Sequence, residues 1–345
     1  MKSIKIYLSI LLSIFFLASC EKDIVFNGEI TAPQVVVNSF ITPDSIVSAH
    51  ISESRFFLKD SVMFKNVLNA NVAVWVNGVY KETMIHVQNG TYKGTYKPAV
   101  GETIKLMVKV PSKNDASCEA KIESQPVVLS IDTTDIWTGQ RYEIQNEGYS
   151  SNGGPTIYTY DTIATVTGHQ INYILKFKDD ANLRNYYRLV VQTKGHYLSI
   201  DTLTNDTTTS IQDSYFFYFT DVVSGNNSNN DPVSSLIGNP SYNEYNVFSD
   251  DLFNGKTYSL TFTTNEDVYK YKTSYTYGRT APSKKEISVY LQSISRDYYF
   301  YLKSRPAASS GSGFFSEAVQ IQNNIVGGIG ILGSYTSSNV VKIEL

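Results

Sequence analysis

Cys20 ends the tetrapeptide Leu17-Ala18-Ser19-Cys20, behind an apolar run from Ile6 to Leu17 and the positive charges of Lys2 and Lys5. A thiol in that setting has one chemistry open to it. It attacks a lipid donor, carries diacylglycerol as a thioether, and becomes the first residue once the leader is cut. Small residues before it leave the backbone open to the peptidase, and the pattern resembles the bacterial lipobox. The apolar run is about a dozen residues. At about 1.5 Å per residue, a helix of that length falls well short of a hydrocarbon core of about 30 Å. Residues 1–19 therefore read as a signal peptide, and residues 20–33 as a lipidated tether. Two or three acyl chains anchor stably where one does not. The covalent lipid on Cys20 is the one attached group expected, with no other cofactor. The second cysteine, Cys118, is then left without a partner in the chain. No disulfide is expected, and Cys118 reads as a small residue in a loop at a strand end.

Other constellations are sparse. Paired carboxylates stand at Asp179-Asp180, after an apolar run, and at Asp250-Asp251, before a turn. Two carboxyl groups about 5–10 Å apart can hydrolyse a glycoside, and several carboxylate oxygens can hold calcium. Neighbouring Asp residues at chain reversals are also ordinary turn-formers. The histidines, His50, His86, His169 and His196, are scattered without metal-ligand spacing. Gly255-Lys256-Thr257 lacks the glycine five residues earlier that a phosphate loop requires, since Asp250 stands there, and it reads as a turn. No Gly-x-Ser-x-Gly, His-Glu-x-x-His or Cys-x-x-Cys pattern occurs. The reading is non-enzymatic, with no catalytic residues and no metal site.

Aromatic residues are dense, with 26 Tyr and 17 Phe, against only 18% charged residues. They cluster at Tyr186-Tyr187, Tyr215–Phe219, Tyr269–Tyr277 and Tyr298–Tyr301. Alternate strand residues face opposite sides, so such runs must place rings both in the core and outside it. Outward rings offer apolar faces with polar tips, suited to stacking on a glycan or gripping a peptide. The stretch YKYKTSYTY, Tyr269–Tyr277, is the one expected to be exposed. The net charge of −3 offers no basic surface for nucleic acid. Four Asp-Ser/Thr-apolar triplets, beginning at Asp44, Asp60, Asp161 and Asp201, resemble a short O-glycosylation acceptor.

These residues need a frame, and the patterning is β throughout. Gln34–Ile41, Ile46–Ser52, Val72–Val76, Val79–Val87 and Thr103–Val110 are strand-like runs parted by turn residues. Asn77-Gly78 between two of them is a hairpin signal, because a type I′ turn needs positive φ at both positions. Residues 34–125 are expected to form an immunoglobulin-like sandwich without its Cys…Trp…Cys core. Gln125-Pro126 marks a boundary, and residues 126–345 are expected to form a larger antiparallel β domain. Its strands are read at Val127–Ile131, Asn172–Lys178, Tyr186–Gln192, Tyr215–Thr220, Thr257–Thr264, Glu286–Ser293, Ile325–Ser334 and Val340–Leu345. Asp132–Gly168 reads as a long polar loop, and Ser224–Pro232 as another. Ser295–Ser304 has helical spacing and is expected to end at Pro306, giving one short helix near the C-terminus.

The order and spacing of five features resemble a family of Bacteroidetes lipoproteins known as domain of unknown function 4249, over essentially the whole mature chain. They are Cys20-Glu21-Lys22-Asp23; Ala70–Val74 with Gly101-Glu102-Thr103; Phe248–Tyr258; Tyr298–Ser304; and Phe315–Val319 with Gly327–Gly333. Ala318 departs from the family pattern, where Pro is common. Glu21, Lys22 and Asp23 resemble the short charged signal that sends such lipoproteins to the outer face of the outer membrane. The resemblance implies no known catalytic residues and a working partner in a TonB-dependent receptor. The expected function is a surface-exposed accessory or binding protein in nutrient uptake, held by its lipid, with a glycan or peptide as ligand. Two alternatives stand beside it: a structural or adhesion component, and a glycan hydrolase using the acidic pairs.

Overall fold

Alternation of apolar and polar residues produces strands along nearly the whole chain. In the computed structural model, residues 32–55, 64–149, 157–181, 183–200, 207–224, 243–271, 282–309 and 321–345 are described. The tether residues Cys20, Glu21, Lys22 and Asp23 lie outside these, as do most of the loop 224–232, Phe315–Val319, and the triplets at Asp60 and Asp201. The first nine strands are β1 (Val35–Ile41), β2 (Ser48–Glu53), β3 (Lys65–Asn66), β4 (Asn71–Val76), β5 (Val79–Thr83), β6 (Ile85–Gln88), β7 (Thr91–Lys93), β8 (Thr103–Lys109) and β9 (Ala116–Lys121). They form two facing layers. β5-β4-β8-β9 make one sheet, and β1-β2-β7-β6 belong to the other. Val35, Val37 and Ile41 of β1 face Val72 and Val74 of β4 and Ile104, Leu106 and Val108 of β8 in one buried cluster. Each such side chain removed from water contributes about 1.5–3 kcal/mol.

The Asn77-Gly78 hairpin forms as its residues dictate, with φ of 50° and 80°. The run Val79–Val87 differs from the single strand expected. It divides at Met84, which is buried, and β5 stays with β4 while β6 crosses to pair with β7 in the opposite layer. Cys118 also differs from expectation. It sits in the middle of β9 opposite Leu106, and burial pushes its thiol up to about 12.

The remaining strands are β10 (Val127–Tyr149), β11 (Ile157–Lys178), β12 (Tyr186–Ile200), β13 (Thr207–Ser214), β14 (Val247–Ser249), β15 (Thr257–Tyr271), β16 (Pro282–Ile294), β17 (Ile329–Ser337) and β18 (Val341–Glu344), with helix α1 (Arg296–Ser309) between β16 and β17. The stretch expected to be a loop, Asp132–Gly168, is instead most of a long hairpin of β10 and β11. Its Thr, Ile, Trp and Tyr residues favour extended backbone. Its polar side chains are tolerated because β10 is an edge strand, exposed along most of its length. Tyr215–Thr220 makes no ladder and touches β15 by one bridge, Tyr218 to Thr263. α1 runs through Pro306 rather than ending before it.

Sheet β10-β11-β15 packs on β12 and β16, burying Tyr173, Phe177, Phe248, Phe253, Phe262 and their aliphatic neighbours. The two sandwiches share one sheet, because β17 lies between β16 and β1 and runs parallel to β1. Leu332 of β17 joins the first core. Ser334 and Thr336 on the same face donate to the carbonyls of Lys121 and Ser124, and the Gln125 side chain donates to the Ser337 carbonyl. The link at Gln125-Pro126 is thereby fastened to the last long strand. α1 covers the opposite face through Tyr298, Tyr299 and Leu302.

Candidate functional site

The two acidic pairs, separate in sequence, come together at one end of the second sandwich. Asp179 follows β11 and Asp250 follows β14, and both are buried. Asp179 Oδ1 accepts from the Tyr187 hydroxyl at 2.6 Å and from Asn185 Nδ2 at 3.2 Å, while Oδ2 accepts the Gly255 N–H at 2.7 Å. Asp250 Oδ2 accepts the Asn185 N–H at 2.8 Å, and the Asp250 carbonyl accepts the Phe253 N–H. These bonds use both carboxylates to close the turn from Asp250 to Lys256 and to fix it on β11. Asp251 points outward to Arg184 and Ser249.

The electrostatics follow the burial. Desolvation first, then the charges of Asp179 and Asp251, push the Asp250 carboxyl up, against the Asn185 bond that pulls it down. The Ser249 hydroxyl bond and then Arg184 hold Asp251 low. Burial and the Asp179 contact push the Tyr187 phenol far up. A carboxyl raised by folding contributes stability below its ordinary value of 3.8, and that contribution is lost as pH rises through the higher folded value. Asp250→Asn keeps the acceptor for Asn185 and removes the titration. Its urea midpoint is expected to fall less than that of the parent as pH rises from 3.8 into the neutral range. Parallel slopes would show that folding does not raise the Asp250 carboxyl.

Beside this turn lies a cleft of about 140 Å³ where the two sandwiches meet, lined by Glu123, Gln125, Lys178, Asp180, Asn185 and Ser293 among others. Its walls carry both charge signs. They come from the linker, the end of β11, the start of β12 and the end of β16.

A second polar group, not foreseen in the sequence, sits at the opposite end of the same core. Lys285 Nζ on β16 reaches Glu266 Oε2 on β15 at 2.6 Å, and the Thr193 hydroxyl donates to Glu266 Oε1 at 3.0 Å. Next to them the Tyr173 hydroxyl meets Thr264 at 3.2 Å, and burial pushes its phenol up to about 12. His169 Nδ1 contacts Asp135 at 2.8 Å, and Arg141 pairs with Asp267. Only the strand alternation could have signalled this. Glu266 continues the inward series Leu260, Phe262, Thr264 of β15.

The other residues singled out do not converge. His50 contacts the Asn89 carbonyl, His86 lies against the Tyr92 ring, and His196 faces Glu286. Among the described residues, no three of His, Cys, Asp and Glu stand close enough to hold a metal ion. Aromatic runs do divide between faces. Tyr187, Phe217 and Phe219 enter the core, while Tyr186 packs on Tyr299 of α1 and Phe216 meets Tyr218 outside. Of the Tyr269–Tyr277 stretch, only the end of β15 is described.

These features define a mostly β protein of two sandwiches built on one shared sheet, with polar groups gathered at both ends of the second core. A family model described as "Domain of unknown function (DUF4249)" matches residues 21–340, and the chain belongs to that family. No curated protein and no solved structure matches it.

Proposed function

We propose that this chain is an outer-membrane lipoprotein, exposed at the cell surface, that serves as a non-enzymatic binding or accessory protein beside a TonB-dependent receptor in nutrient uptake. The observation that carries the reading is Leu17-Ala18-Ser19-Cys20 at the end of a short apolar run. Glu21-Lys22-Asp23 directly after it supports surface export, and the family match opens at residue 21. The acidic pairs of the second sandwich support binding over hydrolysis, since both Asp179 oxygens and Asp250 Oδ2 accept bonds that hold the chain around the turn. Among the described residues, no helix is long and apolar enough to cross a membrane.

Growth with an alkynyl fatty acid should label the protein, and Cys20→Ala should abolish the label. Protease added to intact cells should then remove the labelled protein, and capture from solubilised outer membrane should bring a TonB-dependent receptor with it. Label on the Cys20→Ala form would overturn the anchor. Full protection until lysis would overturn surface exposure, and repeated capture without a receptor would overturn the partnership.

A further inference from the structure

The face of the shared sheet that carries α1 holds polar groups whose bonding capacity the fold leaves partly unused. Arg188 of β12, Gln292 of β16 and Ser337 of β17 are direct neighbours in one row across three strands. Gln292 is 6% exposed, and its Nε2 donates to the Ser337 hydroxyl at 3.3 Å while its Oε1 has no partner. Turning the amide over changes which atom is satisfied, but one of the two remains without a bond. Buried polar atoms of this kind are rare in native folds. Arg188 is half-buried. Its Nε donates to the Tyr245 carbonyl at 3.2 Å, and among the described residues it forms no ion pair.

Three tyrosines stand around this row. Tyr290 is two residues from Gln292 on the same face, Tyr335 pairs with the adjacent Ile294, and Tyr298 of α1 packs over Gly333 and against Phe40. Burial is the main cause raising all three phenols; the Arg188 charge acts on each in the opposite sense, and on Tyr298 so does a hydrogen bond from Arg188. Arg188, Tyr290, Tyr335 and Tyr298 thus stand around Gln292 on one face of the sheet. The exposed Asp44 acts on Tyr335 from the rim, and Glu244 acts on Tyr245, whose carbonyl takes the Arg188 bond.

We infer that this face binds an acidic sugar, with the carboxylate of a hexuronic acid on Arg188 and a ring hydroxyl on Gln292. The planar guanidinium fork matches a carboxylate. A hydroxyl both donates and accepts, so it satisfies Gln292 in either amide orientation. Tyrosine rings supply apolar faces for the C–H side of a sugar ring. Gln292 is reached when one of the half-exposed rings beside it, Tyr290 or Tyr335, turns outward, a change of rotamer only.

The inference deepens the reading of the chain as a binding protein and does not depend on a receptor. Full-length protein in detergent micelles is titrated calorimetrically with D-glucuronate and D-galacturonate, with D-glucose as the neutral control. Saturable binding to at least one uronate is expected, at least about tenfold tighter than glucose and weakening as salt is raised. Arg188→Met should lose at least about tenfold in affinity. Gln292→Leu should lose a similar factor while its unfolding temperature holds or rises, because the unpaired polar atom is gone. Folded protein that takes up neither uronate at about 10 mM, glucose that binds equally well, or an unchanged affinity in Gln292→Leu would each overturn the assignment. Loss of the receptor in capture experiments, with uronate binding intact, would overturn only the partnership.

Discussion

Lys285→Met should lower the stability of the native state by about 3–5 kcal/mol, a size reached when one member of a buried ion pair is removed. The Lys285 and Glu266 side chains are 15% and 7% exposed and meet at 2.6 Å. Without the ammonium, the Glu266 carboxylate keeps only the Thr193 hydroxyl, too little to offset its lost hydration. Changing both residues, as Glu266→Leu with Lys285→Met, should bring stability back to within about 1 kcal/mol of the parent or above it. The pair lies between two sheets, beyond the last apolar layer of Ile171, Val191 and Ile287, where aliphatic side chains fit. Urea denaturation of the three proteins settles the matter. A loss below about 1 kcal/mol in Lys285→Met is the behaviour of a solvated pair, and would mean that water reaches this end of the core.

An equally large effect is expected from Gly330→Ala. Gly330 has φ of 123°, and a Cβ placed on it would stand 2.0 Å from the Val37 carbonyl oxygen and 2.9 Å from its carbon. Those are backbone atoms of the neighbouring strand, held by six register pairs from Val36–Ile329 to Ile41–Ser334, and they cannot yield as a side chain can. The substitution should part β17 from β1 locally and cost about 4 kcal/mol or more, in the range reserved for disrupted cores and strained backbone. Gly101→Ala is the control. Its φ is 86° with open space around it, so only the left-handed conformation is penalised, by about 1–2 kcal/mol. Equal losses in the two variants would show that β1 and β17 are loosely joined. Amide exchange in Val36–Ile41 should report the separation directly.

How much of this could be read from the residues varied with burial. Strands that bury one face announced themselves: Thr103–Lys109 alternates in sequence, and in the fold Ile104, Leu106 and Val108 point inward. The hairpin of β10 and β11 is not legible in the sequence because most of β10 is exposed on both faces, so no apolar period marks it. β9 is hidden for the opposite reason. Its buried residues Ala116, Cys118 and Ala120 are small and carry little hydrophobic signal. The crossing at Met84 leaves no trace, since β5 and β6 are both exposed edge segments. Of the candidate sites, the acidic pairs were visible as residues, but their convergence depends on pairing between β12 and β14. Arg188 and Gln292 are about a hundred positions apart and nothing local connects them.

The parallel contact of β1 with β17 also sets an order of events. Val36 meets Ile329 across nearly the whole length of the folded chain. Such non-local pairing demands closure of a very long loop, a signature of slow folding. A ribosome delivers Val35–Ile41 early and Ile329–Ser337 last. Until then one side of β1 is an unpaired edge rich in valine, the kind of surface that recruits foreign strands. A chain made in this order needs a holding chaperone until its final residues appear, and truncation anywhere before Ile329 should leave even the first sandwich prone to aggregate.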